Sequence, residues 1–173
     1  MGIAVQEEPV ETKKHQYCTF WISRRRFGVD ILDVKEISPE VDFTPILHAP
    51  PEVRGYVNIR GHIYLILDLR LILGFESQKV DKASRVVLFK SQVGEPFGVL
   101  VDSIGDILIV DEAQIENRRQ EDHGPPEEGD ERRGLDIGDG VCKLEDGLLV
   151  IVRSKSLLNI IGDLNGISKK SLG

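Results

Sequence analysis

A chain of 173 residues has room for one ordinary domain or two very small ones. Hydrophobic residues are 40% and charged residues 29%, the balance of a soluble globular protein, and no apolar run approaches the roughly 18 residues a membrane-spanning helix needs. A net charge of −7 argues against a nucleic-acid surface.

Residues 1–15 read as a free tail. They hold no apolar stretch of the signal-peptide kind, and Gln6 stands where an acylation motif wants Ser or Thr. Strand signals then dominate: YCTFWI (17–22), FGVDILDV (27–34), YVNI (56–59), IYLIL (63–67), RVVLF (85–89), FGVLV (97–101), DILIV (106–110), GVCKL (140–144) and LLVIV (148–152). Each is short, rich in Val, Ile or aromatics, and bounded by turn residues. Such strands with short connections predict an all-β barrel or sandwich. Two short helices are expected. LRLILG (69–74) would have Asp68 as N-cap and Gly74 as its stop, and SKSLLNIIGDL (154–164) carries apolar residues at helical spacing behind Ser154 or Ser156. Residues 165–173 read as a second tail.

The segment 111–134 holds nine acidic and four basic residues, a Pro pair and almost nothing apolar. Most of the net charge therefore lies there, and a disordered acidic loop over roughly 112–134 is expected. Cys18 and Cys142 sit among apolar neighbours. Two distant cysteines form neither a disulfide framework nor a zinc site; they read as small buried hydrophobes in a reducing, cytoplasmic setting.

A repeat organises these elements. FGVDILDVKEI (27–37) aligns with FGVLVDSIGDI (97–107) at an offset of 70, with Phe, Gly, Val and the final Ile identical and Glu36 matched by Asp106. LILDLRLIL (65–73) resembles VIVRSKSLL (150–158), each a strand running into a short helix. Two β units follow, the first over roughly 16–80 and the second over roughly 84–153. Units that small are marginal alone, so they are expected to pack across a shared apolar seam.

Catalytic machinery is not legible. No G-x-S-x-G, H-E-x-x-H or Walker pattern occurs, and the four histidines are scattered, so no metal and no cofactor is expected. The stretch GYVNIRGHIYLILDLR (55–70) gathers Arg60, His62 and Asp68. NIRGH reads as a hairpin loop with Gly61 at positive φ, and a strand rise of about 3.3 Å per residue then puts His62 roughly 20 Å from Asp68. Those two cannot act together. A small hydrolase or isomerase would need a third residue, and the sequence nominates none. Arg60 is instead expected to pair with Glu36.

The block PILHAPPEVRGYVNIRGHIYLILDLR (45–70), preceded by FGVDILDVKEI, resembles the signature of the CheW-like domain of bacterial chemotaxis coupling proteins. The likeness runs over roughly 16–162. It implies two pseudo-symmetric SH3-like five-stranded barrels in a single domain over 16–164, with a short C-terminal helix. It also implies a non-enzymatic adaptor. Its partners would be the cytoplasmic tips of methyl-accepting chemotaxis receptors and the regulatory domain of a histidine kinase. Carried over by position, Val34, Glu36, Asn58 and Arg60 would serve receptor coupling, and Gly55 would serve backbone geometry. No kinase-docking residue is placed. The same features suit an adaptor of a related pathway, such as surface motility or second-messenger signalling. Two departures stand out: Leu65 where the family often has Pro, and Arg153 where it often has an acid.

Overall fold

The computed structural model describes residues 12–117, 137–160 and 162. In chain order the strands are β1 (Lys14–Ile22), β2 (Arg25–Asp30), β3 (Val34–Ser38), β4 (Val53–Ile59), β5 (His62–Asp68), β6 (Arg85–Phe89), β7 (Phe97–Val101), β8 (Ser103–Asp111), β9 (Ile115–Glu116), β10 (Gly138–Leu144) and β11 (Gly147–Val152). Helix α1 (Leu69–Ile72) follows β5, and α2 (154–160) follows β11. The fold is all-β with two short helices.

The sequence run 27–34 predicts one strand; the structure has two. Asp30 accepts a hydrogen bond from the Leu32 amide at 2.9 Å and turns Ile31–Asp33 into a 3₁₀ turn. Asp111 does the same before Glu112–Gln114. An Asp side chain that bonds the backbone two residues on competes with the strand ladder and ends it.

The turn at 31–33 redirects the chain into another sheet. The first sheet has the order β8-β1-β2-β11-β10-β9 and the second β3-β6-β7-β5-β4. Replace β1, β2, β8, β10 and β11 by β6, β7, β3, β4 and β5, and the first order becomes the second, with the two-residue β9 added at its edge. The repeat is therefore real, but consecutive halves of the chain do not make the two units. Strand β3 joins β6 and β7 instead of the β1–β2 hairpin before it, and β8 joins β1 and β2 instead of the β6–β7 hairpin before it. Boundaries at 16–80 and 84–153 are corrected accordingly: each sheet joins the leading hairpin of one half, β1–β2 or β6–β7, to the remaining strands of the other. The acidic loop also starts later than 112, because 112–116 form the 3₁₀ turn and β9, which pairs with β10. Its remainder falls outside the described residues.

Three apolar clusters explain why the strands read as unbroken hydrophobic runs. On β6, Val87 and Phe89 enter a cluster shared by both sheets, while Val86 and Leu88 enter one private to the second. On β11, Val152 is buried in the shared cluster and Leu149 and Ile151 in one private to the first. Strand residues alternate faces, so a strand with apolar cores on both sides shows no polar period. The shared cluster, built around Phe20, Phe27, Phe89, Phe97 and Leu157, is the seam expected between the units.

Helix α1 begins as expected. Asp68 accepts from the Leu71 amide at 3.4 Å, and Gly74, at φ 84, stops the helix. In α2, Ser154 spends its hydroxyl on the carboxylate of Asp33, tying the helix to the first crossover. Leu157 is fully buried in the shared core, whereas Ile161 and Leu164 lie outside the described residues.

Gly55 sits at φ 132, where segment 44–45 lies across β4 through paired backbone bonds between Thr44 and Tyr56. A Cβ there would lie 2.1 Å from the Thr44 carbonyl oxygen. Gly55→Ala is expected to cost about 2–3 kcal/mol, read as a lower urea midpoint with an unchanged slope.

The departure at Arg153 also has a structural reason. Hairpins β4–β5 and β10–β11 share a register, Gly55 opposite Ile66 and Gly140 opposite Ile151, so Arg54 matches Asp139 and Asp68 matches Arg153. Arg54 pairs with Asp68 in one unit, and Arg153 pairs with Asp139 in the other. The ion pair is kept with its polarity reversed.

Candidate functional site

Strands β3 and β4 are the two edges of the second sheet, and side chains tie β3 to the β4–β5 hairpin. Lys35 on β3 donates to the Tyr64 hydroxyl at 2.9 Å. Arg60, at the tip of the β4–β5 hairpin, makes two contacts with the Glu36 carboxylate, at 3.2 and 3.0 Å. A sheet whose edges meet is curled into a barrel, and these contacts lie on its closing seam.

The hairpin loop has two residues, Arg60 and Gly61, because Ile59 pairs with His62. Both have positive φ, 53 and 83, as a type I′ turn requires. The sequence reading assigned that conformation to Gly61 alone. Asn58 supports the turn: its side-chain oxygen accepts from the Gly61 amide at 3.0 Å. Part of Asn58 is thus committed to the fold, although the residue is exposed.

The four residues singled out for receptor coupling differ in availability. The Arg60 side chain is 78% exposed and that of Glu36 24%. Val34 packs partly against the shared core, so it offers only one side. Three exposed apolar residues were missed: Ile37 on β3, Tyr56 on β4 and Ile63 on β5. Ile63 is the register partner of Asn58, and Tyr56 lies two residues before Asn58 on the same face. The alternation in YVNI would have marked them once the hairpin register was known.

The pair itself contributes little to stability. An exposed ion pair is worth about 0–1 kcal/mol, so Glu36→Gln is expected to move the unfolding free energy by less than about 1 kcal/mol. Asn58→Ala removes a turn acceptor and is expected to cost about 1 kcal/mol. Urea titration of both variants checks this, and separates loss of recognition from loss of fold.

Among the described residues, His62 and Asp68 form no catalytic constellation. His62 is exposed at the start of β5, while Asp68, at its end, is 1% exposed and is held by Arg54 at 2.9 Å. Burial pushes the Cys18 and Cys142 thiols up, away from reactive thiolates. Among the described residues no group of three His, Cys, Asp or Glu side chains is placed to hold a metal ion, and no helix is long and apolar enough to cross a membrane. Neither of the two cavities detailed on this molecule is lined by Glu36, Asn58 or Arg60. The site is a surface, suited to a macromolecular partner.

The CheW-like domain model matches residues 16–161. The chemotaxis protein CheW of Klebsiella aerogenes is 32% identical over 106 residues, 61% of this chain and 63% of that one. The CheW of Rhizobium meliloti is 35% identical over 98 residues, covering 56% and 62%. The chain thus spans a little under two thirds of those relatives. The CheW of Helicobacter pylori is 26% identical over 145 residues, 83% of this chain and 81% of that one. Among solved structures, the scaffolding protein TtCheW from Thermoanaerobacter tengcongensis superposes with a TM-score of 0.67 at 26% identity, over 81% of this chain and 89% of that one.

Proposed function

Because this chain belongs to the CheW-like domain family, we propose that it is a non-enzymatic scaffold of bacterial chemotaxis signalling. In this reading it couples the cytoplasmic tips of methyl-accepting receptors to the regulatory domain of a histidine kinase. The observation that carries the reading is the Arg60–Glu36 pair. A guanidinium 78% exposed is held in place by two contacts to a half-buried carboxylate, on a backbone at φ 53 that non-glycine residues seldom adopt. On the same hairpin Tyr56 and Ile63 expose apolar side chains. An oriented charge rimmed by exposed apolar side chains is a docking feature, since one supplies register and the other buried area.

Receptor coupling is assigned to Val34, Glu36, Asn58 and Arg60, with Gly55, Gly61 and Asp68 as supports of the backbone. Val34 links this surface to the inter-unit core.

The test is co-sedimentation of the purified chain with receptor-bearing membranes, with and without the kinase. Retention in the pellet with both partners, and kinase stimulation above that of receptor and kinase alone, is the expected result. A chain that stays in the supernatant under every combination would sink the proposal.

A further inference from the structure

We propose that Lys35 and Tyr64 are positioning residues for the docking surface, a second tie that holds Glu36 where Arg60 can meet it. The inference rests on the reading of Arg60 as a docking residue and adds what prepares it.

Lys35 is the extra residue of a β-bulge. Val34 pairs with Phe89 and Glu36 with Leu88, so no residue of β6 stands opposite Lys35. A bulge bends its strand and re-aims the side chain of the extra residue. Here the ammonium reaches the β4–β5 hairpin, donates to the Tyr64 hydroxyl at 2.9 Å, and stands 5.5 Å from the centre of the ring. A charged donor strengthens the first contact, and the electrons of the ring favour a cation in the second. The next residue, Glu36, holds Arg60.

The two ties differ in what they grip. The Glu36–Arg60 pair has to restrain an exposed side chain at a hairpin tip, and such pairs hold weakly. Tyr64 is 4% exposed, and its ring packs with Val57, Ile59 and Ile66 in the cluster private to the second sheet. Its hydroxyl is therefore a fixed point. Strand β3 needs one, because it is an edge strand of five residues bonded to β6 alone. Anchoring Lys35 sets the place of Glu36, one residue on, before any partner arrives. A contact arranged in advance loses less freedom on binding.

The unit built on the first sheet supplies an internal comparison. Strand β8 carries the same bulge, with Cys18 opposite Ile107 and Phe20 opposite Ile104. The repeat puts Gly105 where Lys35 stands and Asp106 where Glu36 stands. The hairpin registers put Leu149 where Tyr64 stands and Glu145 where Arg60 stands. Gly105 has no side chain to extend, and a Cβ there would lie 2.6 Å from the Thr19 hydroxyl. Leu149 has no hydroxyl to accept. Asp106 and Glu145 are both acidic, so they form no ion pair. Bulge, edge strand and hairpin thus fold without either tie. Both ties are missing from one unit and both are present in the other, which a shared task predicts and the fold alone does not require.

Tyr64→Phe is the decisive variant, since it removes one oxygen, keeps the ring and its packing, and changes a residue too buried to touch a partner. The Arg60 Nη signals of the full chain, read by ¹⁵N NMR, report the pair with no partner present. In the parent they are expected to be split, because two contacts to one carboxylate slow rotation of the guanidinium. In Tyr64→Phe and in Lys35→Met they are expected to merge towards those of free arginine. Retention on receptor-bearing membranes is expected to fall about three- to tenfold in both variants. Lys35→Arg can still donate to Tyr64 and is expected to stay within about twofold of the parent. In an Arg60→Glu background, Tyr64→Phe is expected to add less than about twofold, because the tie acts through the pair. Unchanged Nη signals in both variants would overturn the proposal, as would a full further loss on top of Arg60→Glu. So would weakened retention in Lys35→Met with none in Tyr64→Phe, which would make Lys35 a direct contact. Should Arg60→Glu alone be retained like the parent, the docking reading itself fails, while the Nη signals still decide whether Lys35 and Tyr64 position the pair.

Discussion

Asp68→Ala is expected to destabilise the domain by about 3–5 kcal/mol, much of the 5–15 kcal/mol that holds a domain of this size folded. Asp68 is 1% exposed and does two tasks. Its carboxylate takes the Arg54 guanidinium at 2.9 Å, and it caps α1 through the Leu71 amide. Removing it leaves Arg54 with the Gln78 carbonyl and strips the first turn of α1 of its acceptor. Because the Arg54 side chain is 28% exposed, water reaches part of the freed charge, which places the effect near the lower end. The reversed pair in the other unit provides the control. Asp139 is 49% exposed and Arg153 30%, so Asp139→Ala is expected to cost under about 1 kcal/mol. Urea unfolding of the two variants side by side measures the difference. Equal losses would show that burial does not set the cost, and the account of Asp68 would fail.

Arg60→Glu is expected to weaken retention on receptor-bearing membranes about tenfold, roughly 1.4 kcal/mol, while leaving the fold within about 1 kcal/mol of the parent. The substitution sets two carboxylates where an ion pair stood and reverses the charge offered at the hairpin tip. Glutamate fits the left-handed backbone at φ 53 no worse than arginine does, so the turn itself survives. The exchange Glu36→Arg with Arg60→Glu restores the pair and is expected to recover part of the coupling. An Arg60→Glu chain that couples as well as the parent would remove Arg60 from the docking surface. A double variant that recovers nothing would show that the pair does not orient the hairpin for its partner.

Much of this was legible locally. RVVLF and FGVLV coincide with β6 and β7 residue for residue, because turns bound them tightly on both sides. The Arg60–Glu36 contact followed from the repeat, which put an acid at matched positions, and from a hairpin loop able to reach it. The hairpin at NIRGH was legible, but its two-residue loop and so the register of β4 and β5 were not, nor was the second positive φ, at Arg60, since only glycine advertises that conformation in a sequence. Arg26 shows the opposite case. It stacks on Trp21 at 4.7 Å and holds Asp146 in two contacts at 3.1 and 2.8 Å, across 120 positions. Nothing near Arg26 in the chain signals a partner so far away.

The sequence by itself determined the strand inventory but for β3 and β9, the duplication, the cap at Asp68, and a family signature around Asn58–Gly61. Tertiary structure alone decided which sheet each strand joins. Runs such as RVVLF are apolar on both faces, so their pattern states that they are buried without stating in which core. The choice fell to a 3₁₀ turn at Asp30 and to pairings between distant segments, which send β3 and β8 into the opposite units.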